Sequence, residues 1–277
     1  MHDFIYQDAS CDLTNCERYN LSIQLALDGF SLLIQNPEDQ AILLLDHTPL
    51  QLSGVSGMMR KSGELLAAKN LSGNKFNNVV VFPESRLSKL VPLMIQPGNY
   101  LKNLFNLSSR ELKSLSFVSY DLDDRYKSVF GCHTDIFDMY TSLFPGCLFQ
   151  HETVPLINRN RKDISDDETI LKCHFHTGYF FVTAFKGKEI RLFNNYTYTT
   201  PEDVLYYLTA VASVVEAPAL HLELSGNIML DNPVFTLLKQ HFGMIRFISF
   251  ENREAFKGKP GDFDMHTVSP LLSYAGL

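Results

Sequence analysis

The chain has 277 residues, 45% hydrophobic and 20% charged, with a formal net charge of −7. That balance belongs to a folded globular protein and excludes global disorder. The acidity argues against nucleic acid as a partner, because phosphate backbones are held by clustered Lys and Arg. The one dense basic stretch, Asn158-Arg159-Asn160-Arg161-Lys162, runs straight into Asp163 and Asp166-Asp167-Glu168 and reads as a solvated loop. No run approaches the ~18 apolar residues of a membrane span. The opening MHDFIYQDAS has neither the basic nor the apolar region of a signal peptide. Cys11, Cys16, Cys132, Cys147 and Cys173 form no C-x-x-C pair, which points to free thiols in a reducing, cytoplasmic setting.

In chain order, Tyr19 to Leu27 alternates Leu21, Ile23, Leu25 and Leu27, the pattern of a half-buried strand. Asp28-Gly29 is a tight-turn signal, and Phe30 to Gln35 is a second strand. Asn36-Pro37-Glu38-Asp39 turns the chain into a third strand, Ala41 to Leu45. Met58 to Asn70 reads as a helix closed near Gly73. Asn78 to Phe82 is a continuously apolar strand, buried on both faces. Ser116 to Ser119, Tyr126 to Gly131 and Cys147 to His151 read as strands, and Asp135 to Leu143 as a helix.

The pattern then recurs. Thr169 to Phe175, Tyr179 to Phe185 and Glu189 to Asn194 are strands separated by turns at His176-Thr177-Gly178 and Lys186-Gly187-Lys188. Thr200-Pro201-Glu202-Asp203 carries the signs of a helix start, and that helix runs to about Glu216. Ala219 to Leu224 is an apolar strand. Pro233 to Phe242 is a helix ended by Gly243, and Met244 to Phe250 closes the half. The polar run 158–167 marks a linker. A β-β-β-α-β-α unit occurring twice is not a dinucleotide-binding signature.

Other constellations carry less. His174-x-His176 puts two imidazoles on one strand face. With His221 or Cys173 they are candidate transition-metal ligands, or simply exposed or hydrogen-bonded histidines. Ser53-Gly54-Val55-Ser56-Gly57 is a turn-rich loop, not a nucleophile elbow. Asp121-Leu122-Asp123-Asp124 lacks the Gly and distal Glu of a calcium loop and reads as a solvated turn. No phosphate loop of the Walker type is present. Tyr179, Phe180, Phe181, Tyr196 and Tyr198 read as core and sheet face.

The duplicated unit is similar to the actin-like ATPase fold of actin, sugar kinases, heat-shock chaperones and the bacterial FtsA and PilM proteins. More closely, the chain resembles an uncharacterised bacterial family, DUF3822. The resemblance lies in Leu21 to Ile34, in Lys89-Leu90-Val91-Pro92 and in His174 to Phe181. It implies an α/β fold of two duplicated actin-like (ribonuclease H-like) lobes, residues 1–158 and 159–277. Each lobe would be a mixed five-stranded sheet opening with a β-meander, with a central cleft.

The resemblance also implies three nucleotide-handling turns. The first, Asp-x-Gly with a nearby hydroxyl, corresponds to Asp28, Gly29 and Ser31, with the spacing off by one, and reads more readily as a hairpin turn than as a phosphate contact. The second falls on His176, Thr177 and Gly178, where an imidazole replaces the carboxylate that organises Mg²⁺, a cation wanting oxygen ligands. The adenosine turn falls on Ser225 and Gly226, with Asn227 in place of a second Gly. These residues are degenerate cofactor positions for ATP with Mg²⁺. No catalytic residue or metal ligand is assigned. The expected function is a non-catalytic intracellular scaffold or adaptor with a protein partner. The alternatives are an ATP-binding switch, or a small-molecule binder or enzyme.

Overall fold

The computed structural model describes residues 3–96, 100–160, 164–165, 168–216, 221–250, 253–258, 260 and 263–276. The chain divides into two compact units, one of residues 2–154 and 252–263, the other of residues 155–251 and 264–277.

The first unit opens with β1 (Phe4–Gln7), followed by the antiparallel meander β2 (Asn20–Leu25), β3 (Gly29–Gln35) and β4 (Ile42–Pro49). Helix α1 (Val55–Ala68) then carries the chain to β5 (Asn78–Pro83), which pairs parallel with β2. A parallel neighbour requires such a crossover. An insert follows: β6 (Ser88–Pro92), α2 (Leu101–Leu104), α3 (Ser109–Lys113), β7 (Leu115–Asp121) and β8 (Tyr126–His133). Its three-stranded sheet has the order β6-β8-β7. The insert is tied at its root. Ser85 Oγ donates to the Gly131 carbonyl (2.6 Å), and the Gly131 N–H donates to the Leu87 carbonyl (2.9 Å). Helix α4 (Thr134–Leu143) and β9 (Leu148–Phe149) complete a sheet of order β1-β4-β3-β2-β5-β9.

Alternation along the meander decides which side of this sheet is apolar. Leu21, Ile23, Leu25, Phe30, Leu32 and Ile34 pack with Met58 and Leu66 of α1 and with Ile136 and Tyr140 of α4. Each such side chain, fully buried, contributes roughly 1.5–3 kcal/mol. Ser22, Gln24, Ser31 and Gln35 occupy the opposite face, also buried.

Helix α5 (Thr153–Asn160) leads into the second unit, which repeats the plan. Its meander is β10 (Thr169–His176), β11 (Tyr179–Lys186) and β12 (Glu189–Thr197). Helix α6 (Pro201–Val214) starts as its sequence indicates. Thr200 and Asp203 form a reciprocal capping box, with Pro201 in the first turn. Strand β13 (His221–Gly226), helix α7 (Pro233–His241), strand β14 (Met244–Phe247) and helix α8 (Ser269–Tyr274) complete the unit. The sheet order is β12-β11-β10-β13-β14, with β13 parallel to both β10 and β14. That is the order β4-β3-β2-β5-β9 over again. Leu171, Cys173, Phe175, Phe180, Val182, Leu222 and Leu224 pack with Val204, Leu208 and Val211 of α6 and with Leu238 of α7.

Several expectations change. The first sheet has six strands because β1 pairs with β4. The stretch from Asn158 to Asn160 is the end of α5, not a loop. Val154 and Ile157 bury that helix, and the Arg159 guanidinium lies 4.5 Å from the Phe250 ring centre. Val55 to Gly57 form the first turn of α1. Strand β14 stops at Phe247, and Ala219 and Leu220 of the expected strand lie outside the described residues.

Candidate functional site

The first hairpin, between β2 and β3, turns through Ala26-Leu27-Asp28-Gly29, with the Ala26 N–H donating to the Gly29 carbonyl (2.9 Å). Its central residues are therefore Leu27 and Asp28, one position earlier than the Asp28-Gly29 signal suggested. Their carbonyls accept from Leu52 N–H (3.0 Å) and Leu50 N–H (2.9 Å), which fasten the turn to the chain beyond β4. Gly29 is not in the left-handed region. It is constrained by space instead, because a Cβ there would lie 2.9 Å from Cε1 of His47.

Register places Gln24, Ser31 and His47 side by side on β2, β3 and β4. Ser31, expected as a phosphate contact, is buried, and its Oγ stands 2.8 Å from His47 Nδ1. Burial pushes the His47 imidazole down to about 4, with a smaller opposing pull from Asp28, so the ring is neutral at pH 7. His47 Nε2 has no partner among the described residues. Sequence reading passed over Glu152, a fully buried carboxylate that accepts from Gln24 Nε2 (3.4 Å).

The second hairpin is tighter. His176 pairs with Tyr179, and the turn is Thr177-Gly178, with Gly178 at φ +80°. His176 is buried and stacks on Tyr179 at 4.6 Å. On the neighbouring strand, Gly226 sits at φ +81°, and a Cβ there would stand 2.2 Å from the Phe175 carbonyl oxygen. Asn227 donates through its N–H to that carbonyl (2.8 Å) and through Nδ2 to Thr177 Oγ1 (3.1 Å). Ser225 Oγ donates to the Cys173 carbonyl (3.2 Å) and lies 2.9 Å from His174 Nδ1. Thr177, Gly178, Ser225 and Gly226 are thus brought together by the β10–β13 pairing, as Asp28, Gly29 and Ser31 are within the first unit.

The two hairpins superpose by register. Leu25 pairs with Phe30 as Phe175 pairs with Phe180, so Ala26 corresponds to His176 and Leu27-Asp28 to Thr177-Gly178. The resemblance asks for a carboxylate at the first of these positions. It is Ala26 in one unit and His176 in the other, and both are buried. Asp28 occupies the place of the glycine, two residues on and partly exposed.

Neither expected third ligand joins His174 and His176. Cys173 faces the helix-covered core, and His221 Nδ1 binds Glu168 (2.9 Å). Both histidines are buried rather than exposed, with ring centres 5.1 Å apart. Asp123 Oδ1 accepts from Arg125 N–H (2.8 Å) and Tyr126 N–H (2.7 Å), which makes it the cap of the β7–β8 turn. In the second sheet, Lys172 Nζ meets Glu223 Oε1 at 2.8 Å, and Arg246 Nε meets Oε2 at 3.0 Å. Burial lowers the Lys172 ammonium, and Glu223 pulls it back.

A family model described as "Protein of unknown function (DUF3822)" matches residues 8–245. The chain belongs to that family. A Bacteroides thetaiotaomicron protein with an actin-like ATPase fold and unknown function is similar over 97% of this chain and 100% of its own, at 16% identity and a TM-score of 0.79. PilM from a PilM–PilN type IV pilus biogenesis complex matches 92% of this chain and 97% of its own, at 10% identity and a TM-score of 0.56. No curated protein matches the sequence. At these identities the likeness shows the fold: this DUF3822 protein is built of two actin-like lobes. Among its described residues no helix is long and apolar enough to cross a membrane.

Proposed function

We propose that this DUF3822 protein is a non-catalytic actin-like protein that acts inside the cell as a scaffold or adaptor for another protein. One observation carries the reading: the residues at the acid position of the two hairpins are Ala26 and His176. Phosphoryl transfer on this kind of fold is positioning plus metal-assisted charge stabilisation. Mg²⁺ takes oxygen ligands; a methyl group offers none, and imidazole suits other metals. The residues present therefore do not fit a magnesium nucleotide, and no step is routed through one. The Ser31 hydroxyl is engaged by His47 rather than open to a phosphate. The PilM relative was solved with PilN, and we carry that mode of action, through a protein partner, to this chain as part of the proposal.

A thermal-shift titration with ATP and Mg²⁺ tests it. A ligand at one hundred times its Kd stabilises by about 2.7 kcal/mol. The expected result is an unchanged midpoint at millimolar nucleotide. A rise accompanied by release of inorganic phosphate would overturn the proposal. A rise without release would favour an ATP-binding switch, the reading that Thr177-Gly178 beside Ser225-Gly226 supports.

A further inference from the structure

We infer that the β6-β8-β7 insert of the first unit carries the docking surface for the protein partner, and that the segment it takes is acidic. From Arg86 to Tyr120 the chain has five basic residues and one acidic one, a balance of +4 in a protein whose total is −7, so the remainder carries −11. Charge collected on one element, against the sign of the whole, steers an oppositely charged partner to that element. The docking role rests on the scaffold reading, but its test holds no nucleotide, so a failure of the patch and a failure of that reading are told apart.

Lys89, Lys102, Arg110 and Lys113 are all exposed. Helices α2 and α3 cover one side of the insert sheet, where Val91, Phe105, Leu107 and Val129 form a small core. Lys89 precedes Val91 by two residues on β6, so strand alternation turns it to that same side. Lys102 Nζ reaches Ser109 Oγ (3.4 Å), which brings the cation of α2 to the first turn of α3. Arg110 and Lys113 are three apart along α3 and share a face. Among the described residues none of the four is ion-paired, whereas Arg60, Arg191 and Lys257 are met by Glu64 (2.6 Å), Glu189 (3.5 Å) and Asp39 (2.9 Å).

The acids of the insert leave this patch positive. Glu111 is the one within it, and its carboxylate caps α3 by accepting from the Ser108 N–H (2.8 Å). Asp121 and Asp123 lie beside Lys127 (4.0 Å) and Arg125 (3.9 Å), and Asp135, just past the insert, lies beside His133 (3.6 Å). Asp124 stands in the β7–β8 turn, at the other end of β7 from α3. That strand has seven residues and spans roughly 20 Å, about twice the distance over which salt screens a charge. Tyr100, two residues before Lys102 and 66% exposed, adds an aromatic anchor of the kind protein interfaces use. A bilayer or a nucleic acid extends past the insert and would meet a remainder at −11. A short acidic segment lying across α2 and α3 would not.

The test is the fluorescence anisotropy of a labelled peptide of alternating Glu and Ser with a central Leu, titrated with the full chain. The peptide should bind, and more weakly as salt rises, whereas the same peptide with Gln for Glu should not bind. Lys102→Glu with Arg110→Glu and Lys113→Glu, all at exposed positions, should leave the circular dichroism spectrum unchanged. That triple variant should weaken binding at least about tenfold, the equivalent of a few exposed ion pairs. The matching Gln triple should weaken it in the same direction by less. Lys186→Glu with Lys188→Glu, in the β11–β12 turn of the second unit, should bind as the native chain does. Absence of binding by the Glu peptide, either triple binding like the native chain, or an equal loss in the Lys186 and Lys188 variant would overturn the inference. Tighter binding to phosphatidylserine vesicles or to a single-stranded oligonucleotide than to the peptide would overturn it as well.

Discussion

Replacing Glu223 with Gln removes the carboxylate between Lys172 and Arg246 in the second sheet. The side chains of Lys172 and Glu223 are 7% and 8% exposed, whereas Arg246 is 54% exposed. Arg246 can return to water, but Lys172 cannot without leaving its strand. Breaking a buried pair by removing one partner costs about 3–5 kcal/mol, because the other charge is left uncompensated. Burial already draws the Lys172 ammonium below its ordinary value with Glu223 present. Without Glu223 the ammonium is drawn lower still, and that partial relief places Glu223→Gln near the lower bound, about 3 kcal/mol. Losing the half-exposed Arg246 pairing should cost less than about 1 kcal/mol. Lys172→Met with Glu223→Leu removes both charges and should recover most of the loss. Because the chain has two units, the readout is native-state hydrogen exchange of β10 and β13 amides, supported by urea unfolding followed by circular dichroism. A cost below about 1 kcal/mol for Glu223→Gln, or a double variant no better than the single, would refute the reasoning.

Two further predictions concern the turns. His47 is depressed to about 4 in the folded protein against an ordinary 6.5, so between those values the unfolded chain binds the extra proton. Stability should therefore fall as pH drops from 6.5 toward 4, by up to about 3 kcal/mol. Urea midpoints across that range should fall less steeply in His47→Gln, with His266, also lowered by burial, supplying a residual slope of the same sign. Gly226→Ala meets the Phe175 carbonyl at 2.2 Å, whereas a Cβ on Gly178 has nothing nearer than 4.0 Å. Gly178→Ala should cost only the ~1–2 kcal/mol of left-handed backbone. Gly226→Ala should cost clearly more, and equal melting temperatures would contradict this.

Strands announced by alternation or unbroken apolar runs were legible: the β2–β4 and β10–β12 meanders and β5. So was α6, because Thr200, Pro201 and Asp203 are local signals. What escaped depends on neighbours. Strand β1 is four residues whose pairing with β4 a sequence does not display. Strand β6 ends in Pro92, which belongs at an edge. Helix α5 hides its apolar Val154, Leu156 and Ile157 beside a polar Asn-Arg-Asn close. At the candidate site, Asp28-Gly29 drew attention to the wrong pair. Hairpin register is set by strand pairing, and pairing centres this turn on Leu27 and Asp28. The Lys172–Glu223 couple did leave a signal: one charge amid apolar neighbours on each of two inner strands, Leu171-Lys172-Cys173 and Leu222-Glu223-Leu224.

The clasp at the root of the β6-β8-β7 sheet has an architectural consequence. Ser85 and Leu87 on the outgoing limb grip Gly131 on the returning one, which holds both limbs about one strand spacing apart, roughly 4.8 Å, where they leave β5 and return toward α4. The grip lies within the ladder, since Gly131 belongs to β8. A foreign hairpin grafted beyond it inherits a ready-made stem, provided that it restores Phe130, which packs in the core of the six-stranded sheet.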